Sequence, residues 1–380
     1  MKTAVADMLG IEYPILAFSH CRDVVAAVTN AGGFGVLGAV AHTPEQLEID
    51  LTWIDEHVGG KPYGVDLLLP QKYEGADQGG LDRDALRQLL PAEQQAFVDD
   101  IMARYQVPQL DDEQREAVSR LGGMNVSPKG YEPLLDVAFD HPIKLIASAL
   151  GPPPAALIER AHAAGVVVAA LAGTKEHALR HQEIGVDIIV AQGTEGGGHT
   201  GEVATMVLVP EVVDAVAPTP VLAAGGIGNG RQVAAAMALG AQGIWCGSVW
   251  LTTEEAETQP VIKEKYLAAR SKDTVRSRSI TGKPARMLKT KWTEEWERPD
   301  GPGPLGMPLQ PLLVSEAQAR INRAANTPGS GAQELATYFV GQVVGQMNVS
   351  KKAGQVVLDM VEEYADVVLR FAEEAAETSA

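Results

Sequence analysis

The sequence predicts an α/β protein closed into a single (β/α)8 barrel, and three observations carry that reading. Eight short apolar, β-rich runs recur between residues 13 and 250, helical patterns separate most of them, and the runs are continuously apolar. A strand apolar on both sides is buried on both faces, the mark of a parallel sheet whose crossovers are helices. Eight such units favour closure into a barrel over an open, doubly wound sheet.

The strands are expected at 13–17, 34–39, 62–69, 142–150, 165–173, 186–193, 219–226 and 243–250. Residues 43–58, 153–165, 174–185 and 229–240 show helical periodicity between them. The main interruption is 71–140, with an acidic helix-like stretch and a glycine-containing return. An insertion of that length on a barrel reads as a lid or a partner surface. Residues 1–70 and 141–380 then form the barrel domain. After residue 270 a Gly/Pro-rich loop at 298–311 leads to additional C-terminal helices, expected near 315–325, 331–348 and 353–376, the last amphipathic.

Composition narrows the partners. A formal net charge of −18 and a pI near 4.9 argue against nucleic acid or an anionic membrane, which would call for clustered Lys and Arg. No signal-like or membrane-length apolar run is present, so a cytoplasmic location is expected. Cys21 and Cys246 have no zinc spacing and read as buried thiols, so no metal is expected.

In a barrel, phosphate is commonly held by the loops after strands seven and eight. Here the seventh is followed by Gly225, Gly226 and Gly228, and the eighth by Gly247 and Ser248. Glycines let backbone N–H groups approach an anion, and Ser248 adds a hydroxyl donor. The sixth strand runs into Gln192, Gly193, Glu195, Gly198 and His199 at the face where barrels do chemistry. His199 reads as a base or as a donor to a developing anion, against a structural, turn-capping role. Gln192 reads as a flavin-edge contact or a loop brace, Glu195 as a loop-bracing or a catalytic carboxylate. His20 is a second active-site imidazole or a turn residue, and Lys144 an inward polar contact or a strand-start charge.

The stretch AQGTEGGGHTG, followed by VLAAGGIGNGRQVAAAMALGAQGIWCGS, resembles the signature of the nitronate monooxygenase (2-nitropropane dioxygenase) family, and also resembles FMN-dependent enoyl-acyl-carrier-protein reductases. YPIL, NAGGFGVLG, TGKPAR (281–286) and YFVGQ (338–342) extend the likeness over most of residues 1–350. The resemblance implies a TIM barrel carrying FMN over its mouth, the phosphate near Gly225, Gly226, Gly247 and Ser248, an active-site histidine at His199 and a flavin-contacting glutamine at Gln192. Two positions depart from the family pattern. Ala17 and Phe18 stand where an apolar-Pro-Met stretch is usual, and Asp66 stands where an Asn is usual. Asp66 is therefore protonated, hydrogen-bonded locally, or paired with a flavin held differently.

The implied activity is oxidation of an alkyl nitronate, a small molecule, by O2 to a carbonyl compound and nitrite. An NAD(P)H-dependent FMN reductase acting on an enoyl thioester or a quinone is the alternative, and a non-redox barrel that binds a phosphorylated sugar or serves as a flavin-binding accessory protein is a third reading. The insertion and the C-terminal helix each offer a homodimer surface.

Overall fold

The computed structural model describes residues 1–69, 83–120 and 128–379. Strands β1 (Ile15–Ser19), β2 (Phe34–Gly38), β3 (Gly64–Leu68), β4 (Leu145–Ala149), β5 (Val167–Ala172), β6 (Ile188–Gln192), β8 (Val221–Ala224) and β9 (Ile244–Cys246) form a closed barrel in that order. All of its pairings are parallel, and β9 closes on β1 through Leu16↔Trp245 and Ala17↔Cys246. The expected (β/α)8 fold is therefore present, each strand within one predicted run or overlapping it.

Side chains alternate across each strand, so one set fills the barrel and the other meets the helices. Leu16, Phe34, Val36, Leu145, Ile188, Val190, Leu222 and Trp245 pack inside. Val5 and Leu9 of the N-terminal helix Ala4–Leu9 join the same cluster. Burying each of these large side chains contributes about 1.5–3 kcal/mol. A second cluster holds Ala17, Leu37, Val65, Ile146 and Val168 against the surrounding helices. Those helices begin where the sequence supplies caps. Thr43 and Gln46 form a reciprocal capping box on helix Pro44–His57, and Asn229 Oδ1 accepts from Gln232 N at 3.0 Å on helix Gly230–Ala238.

Within the predicted insertion, helix Pro128–Asp140 packs on helix Pro44–His57 and leads into β4. Helix Ala92–Arg104 instead contributes Val98, Ile101 and Met102 to a third apolar cluster, with Trp292, Trp296, Val314 and Ile321 from the C-terminal part. Arg104 grips Glu295 bidentately across this seam at 2.7 and 2.8 Å. The start of the insertion and half of its glycine-containing return, residues 121–127, fall outside the described residues.

Two features differ from expectation. A three-stranded antiparallel sheet, unforeseen, lies beside the mouth: β7 (Gly198–His199), β10 (Thr274–Ser277) and β11 (Ala285–Leu288), in the order β10-β11-β7. The helix expected at 331–348 reduces to Ala332–Leu335 and a 3-10 turn, Gln342–Gln346. The chain between them is extended because Gly341 lies against the Glu195–Gly197 backbone, where a Cβ would come within 2.6 Å of Glu195 O. The final helix, Ala353–Ser379, packs on helices Gly230–Ala238 and Arg22–Asn30. Among the described residues, no helix is long and apolar enough to cross a membrane.

Candidate active site

The strand-end face of the barrel gathers most of the predicted residues, but not all in the expected sense. After β8, Gly225 and Gly226 adopt φ of +103° and +72°, a left-handed turn that a side chain would strain. The N–H groups of Gly226 and Gly247 donate to no protein acceptor among the described residues, whereas that of Gly225 stands at the last step of the β8–β9 ladder, beside the Ala224↔Trp245 pair. Gly247 also has open space, the nearest atom to a Cβ there being Phe18 Cδ1 at 3.6 Å. Ser248 Oγ accepts from Gly341 N at 2.8 Å, which leaves its proton free to donate. Two adjacent turns with unused donors fit an anion such as a phosphate.

Gly193 and Gly228 serve the protein instead. Gly193 N donates to Ala224 O at 2.9 Å, and a Cβ on Gly193 would strike Thr205 Oγ1. Gly228 N donates to Gln232 Oε1 at 2.8 Å. Ala17 departs from expectation too. Period-two alternation turns its methyl outward to the helices, while Phe18 faces the interior and stacks at 6.4 Å on Trp245.

His199 lies on β7, paired to Ala285 of β11. Its Nδ1 is 3.2 Å from Pro284 O. A carbonyl only accepts, so Nδ1 carries the hydrogen and Nε2 is left as a bare acceptor. Burial among the loops, with the charge of Lys283 adding to it, lowers the pKa from 6.5 to about 4, so the ring is neutral at physiological pH. Gln192 is the last residue of β6, and among the described residues its side-chain amide has no hydrogen-bond partner. Gly198, φ +73°, has open space around its Cα.

Glu195 braces the loop. Its carboxylate accepts from Thr205 N at 3.0 Å and Thr205 Oγ1 at 2.8 Å, at the start of helix Thr205–Val216. His20 Nδ1 bonds Gly38 O at 2.8 Å, and its ring with that of Phe18 fills the space over Gly38. That fit is a structural role on the turn after β1. Lys144 reaches back to Gly165 O at 3.2 Å ahead of β4, a strand-start charge. Both cysteines are buried free thiols, and burial pushes Cys246 up to about 12.

Asp66 occupies the inner face of β3, in register with Gly38 of β2 and Ala147 of β4. It is 4% exposed, and among the described residues its carboxyl has no hydrogen-bond or ion-pair partner. Desolvation raises its pKa well above the ordinary carboxylate value. Of the alternatives posed by the sequence, local hydrogen bonding is thus absent.

Sequence reasoning missed Arg286 and the 338–341 strap. Arg286 is buried and donates through Nε to Thr194 O at 2.9 Å, pinning the loop that carries His199. Val340 N bonds Arg286 O at 3.3 Å and Phe339 lies 6.3 Å from the His199 ring, so the strap walls the mouth. TGKPAR and YFVGQ mark both places in sequence, yet neither string reveals that it pairs with the other. A cavity of about 290 Å³ flanks Gly225 and Gly226, between helices Thr205–Val216 and Gly230–Ala238. Phe18, Asp66, Gln192 and His199 do not line it.

A closed parallel barrel with a left-handed glycine turn after β8 and a neutral imidazole in the loop after β6 has the architecture of a barrel enzyme. Known proteins narrow this. The Nitronate monooxygenase family matches residues 2–363. A Mycobacterium tuberculosis protein, provisionally described as a monooxygenase, is 70% identical over 97% of this chain and 98% of its own. A Staphylococcus aureus protein described as a nitronate monooxygenase is 28% identical over 90% of this chain and 91% of its own. Among solved structures, a nitroalkane oxidase from Streptomyces ansochromogenes superposes with a TM-score of 0.78 at 27% identity, covering 97% of this chain and all of the other. FabK from Thermotoga maritima gives 0.73 at 27% identity, covering 98% and 99%. The chain belongs to the nitronate monooxygenase family and is an FMN-dependent oxidoreductase.

Proposed function

We propose that this enzyme oxidises alkyl nitronates and their parent nitroalkanes with O2 to a carbonyl compound and nitrite, with FMN bound at the barrel mouth. The observation that carries the reading is His199, whose Nδ1–H is committed to Pro284 O and whose Nε2 is a bare, neutral acceptor. Such a group takes a proton from a carbon acid rather than giving one.

The free N–H groups of Gly226 and Gly247, with the Ser248 hydroxyl and the left-handed turn at Gly225, would hold the phosphate. Phe18, Gln192 and Gly198 are disposed toward the ring. Bound flavin supplies the electron transfer that no side chain here can perform. The chain's own residues do the rest. His199 Nε2 accepts the α-proton of a neutral nitroalkane, whereas a nitronate arrives already ionised and bypasses it. Arg286 fixes the loop that aims His199, and Phe339 with the strap limits water at the mouth.

The test is a visible spectrum of the purified protein, followed by anaerobic mixing with propionate 3-nitronate, NADH and NADPH separately. Bleaching by the nitronate, with nitrite formed on admitting O2, supports the reading. Rapid bleaching by a nicotinamide alone moves the assignment to the reductase class.

A further inference from the structure

We propose that Asp66 stands at the barrel mouth as an un-ionised carboxylic acid and donates its O–H hydrogen bond to the flavin ring, an inference that rests on the flavin site proposed above.

The placement comes from register. Asp66 pairs with Gly38 and Ala147, and alternation turns it to the same interior face as Phe18, Val36, Ala147 and Gln192. That face is apolar below it, and the carboxyl is buried at 4% exposure. Gly38, its neighbour on β2, carries no side chain, and the space above Gly38 is taken by His20 and Phe18. His20 is the titratable group nearest in the register on this side, and burial lowers its pKa, so it brings no positive charge. On the other side Ala147 is apolar, and Ser148, the next residue of β4, commits its hydroxyl to Gly151 O at 3.0 Å.

A buried carboxylate without a cation or a donor costs several kcal/mol, and the group avoids that cost by keeping its proton. Asp66 then has one donor and no partner among the described residues. Its open side is the mouth itself, where a polar-edged ring is the acceptor available. An ionised carboxylate in that place would also repel an anionic nitronate in the same mouth, whereas the acid does not.

The experiment compares wild type, Asp66→Asn and Asp66→Leu. In an infrared difference spectrum between wild type and D66N at about pH 8, both carrying the same flavin, the carbonyl stretch of a protonated carboxylic acid should belong to wild type alone. FMN titration of the deflavinated proteins should place D66N within about threefold of wild type, because Asn also donates, and Asp66→Leu about tenfold weaker. Absence of the protonated-acid band overturns the proposal, as does D66N binding more than about tenfold tighter, the sign of a repelling charge removed. Equal FMN affinity in Asp66→Leu and wild type overturns the hydrogen bond. Failure of all three proteins to bind FMN would instead bring down the flavin site, while the same infrared difference taken between the flavin-free proteins still reports the state of Asp66.

Discussion

Replacing His199 by Asn tests the imidazole at a single atom. The Asn amide can still donate to Pro284 O in place of Nδ1, but Nε2 is gone. A positioned general base is worth about 10²- to 10⁴-fold, most when its pKa lies near the working pH. His199, at about 4, is well below that, so the loss belongs at the lower end. We expect kcat/KM for a neutral nitroalkane to fall about 10²-fold, close to 2.7 kcal/mol of barrel-mouth stabilisation of the transition state. Activity on the matching nitronate should stay within about threefold. The wild-type nitroalkane profile should rise with pH through about 4 and then level, because the unprotonated ring is the active form. The folded pKa is depressed, so the stability tied to this ring is complete above 6.5 and lost as pH falls through about 4. H199N should lose that acid sensitivity. Steady-state nitrite release from paired nitroalkane and nitronate substrates decides the matter. An equal loss on both substrates would refute the proton-transfer role.

Three further outcomes are expected. Gly247→Ala has room to fold, so its melting temperature should match wild type while FMN binds about tenfold more weakly. Gly225→Ala must force a methyl to within 2.7 Å of Thr205 Oγ1 at φ +103°, and should melt lower as well, by circular dichroism. Glu195→Ala removes the acceptor for Thr205 N and Oγ1 at a helix start and should cost about 1 kcal/mol in urea unfolding, with E195Q retaining part of it. Glu295 is held down to about 2 by the Arg104 guanidinium, with Arg298 assisting, so its contribution is full above 4.5 and fades as pH falls through about 2. Because Arg104 is partly exposed, that contribution is about 2 kcal/mol, and E295Q should flatten the acid limb of thermal stability between pH 5 and 3.

The barrel was legible because each strand is buried on both faces, which writes an unbroken apolar run such as VDIIVAQG into the chain. The turn after β8 was legible because glycine is the residue that tolerates the left-handed pair at Gly225 and Gly226. What stayed hidden depends on partners distant in sequence. β7 is two residues long and exists only because β11 pairs with it. The 331–348 segment has helical spacing, yet Gly341 is drawn out straight by contact with the loop at 195–197. Asp66 reads as an anomaly in sequence, and its lack of a partner among the described residues emerges only once Gly38 and Ala147 are seen beside it. Ala17 was placed by strand position alone, without the alternation that sends it outward.

The cluster shared by Val98, Ile101 and Met102 with Trp292 and Trp296 has a consequence for synthesis on the ribosome. The apolar face of helix Ala92–Arg104 emerges almost two hundred residues before the tryptophans that cover it. At about 5–20 residues per second, that face waits on the order of 10–40 s in contact with water. Nascent chains of this protein thus pass through a stage in which the early barrel strands are made while a greasy helix hangs beside them unclaimed. Holdase chaperones should engage that stretch most strongly just before residue 292 clears the exit tunnel.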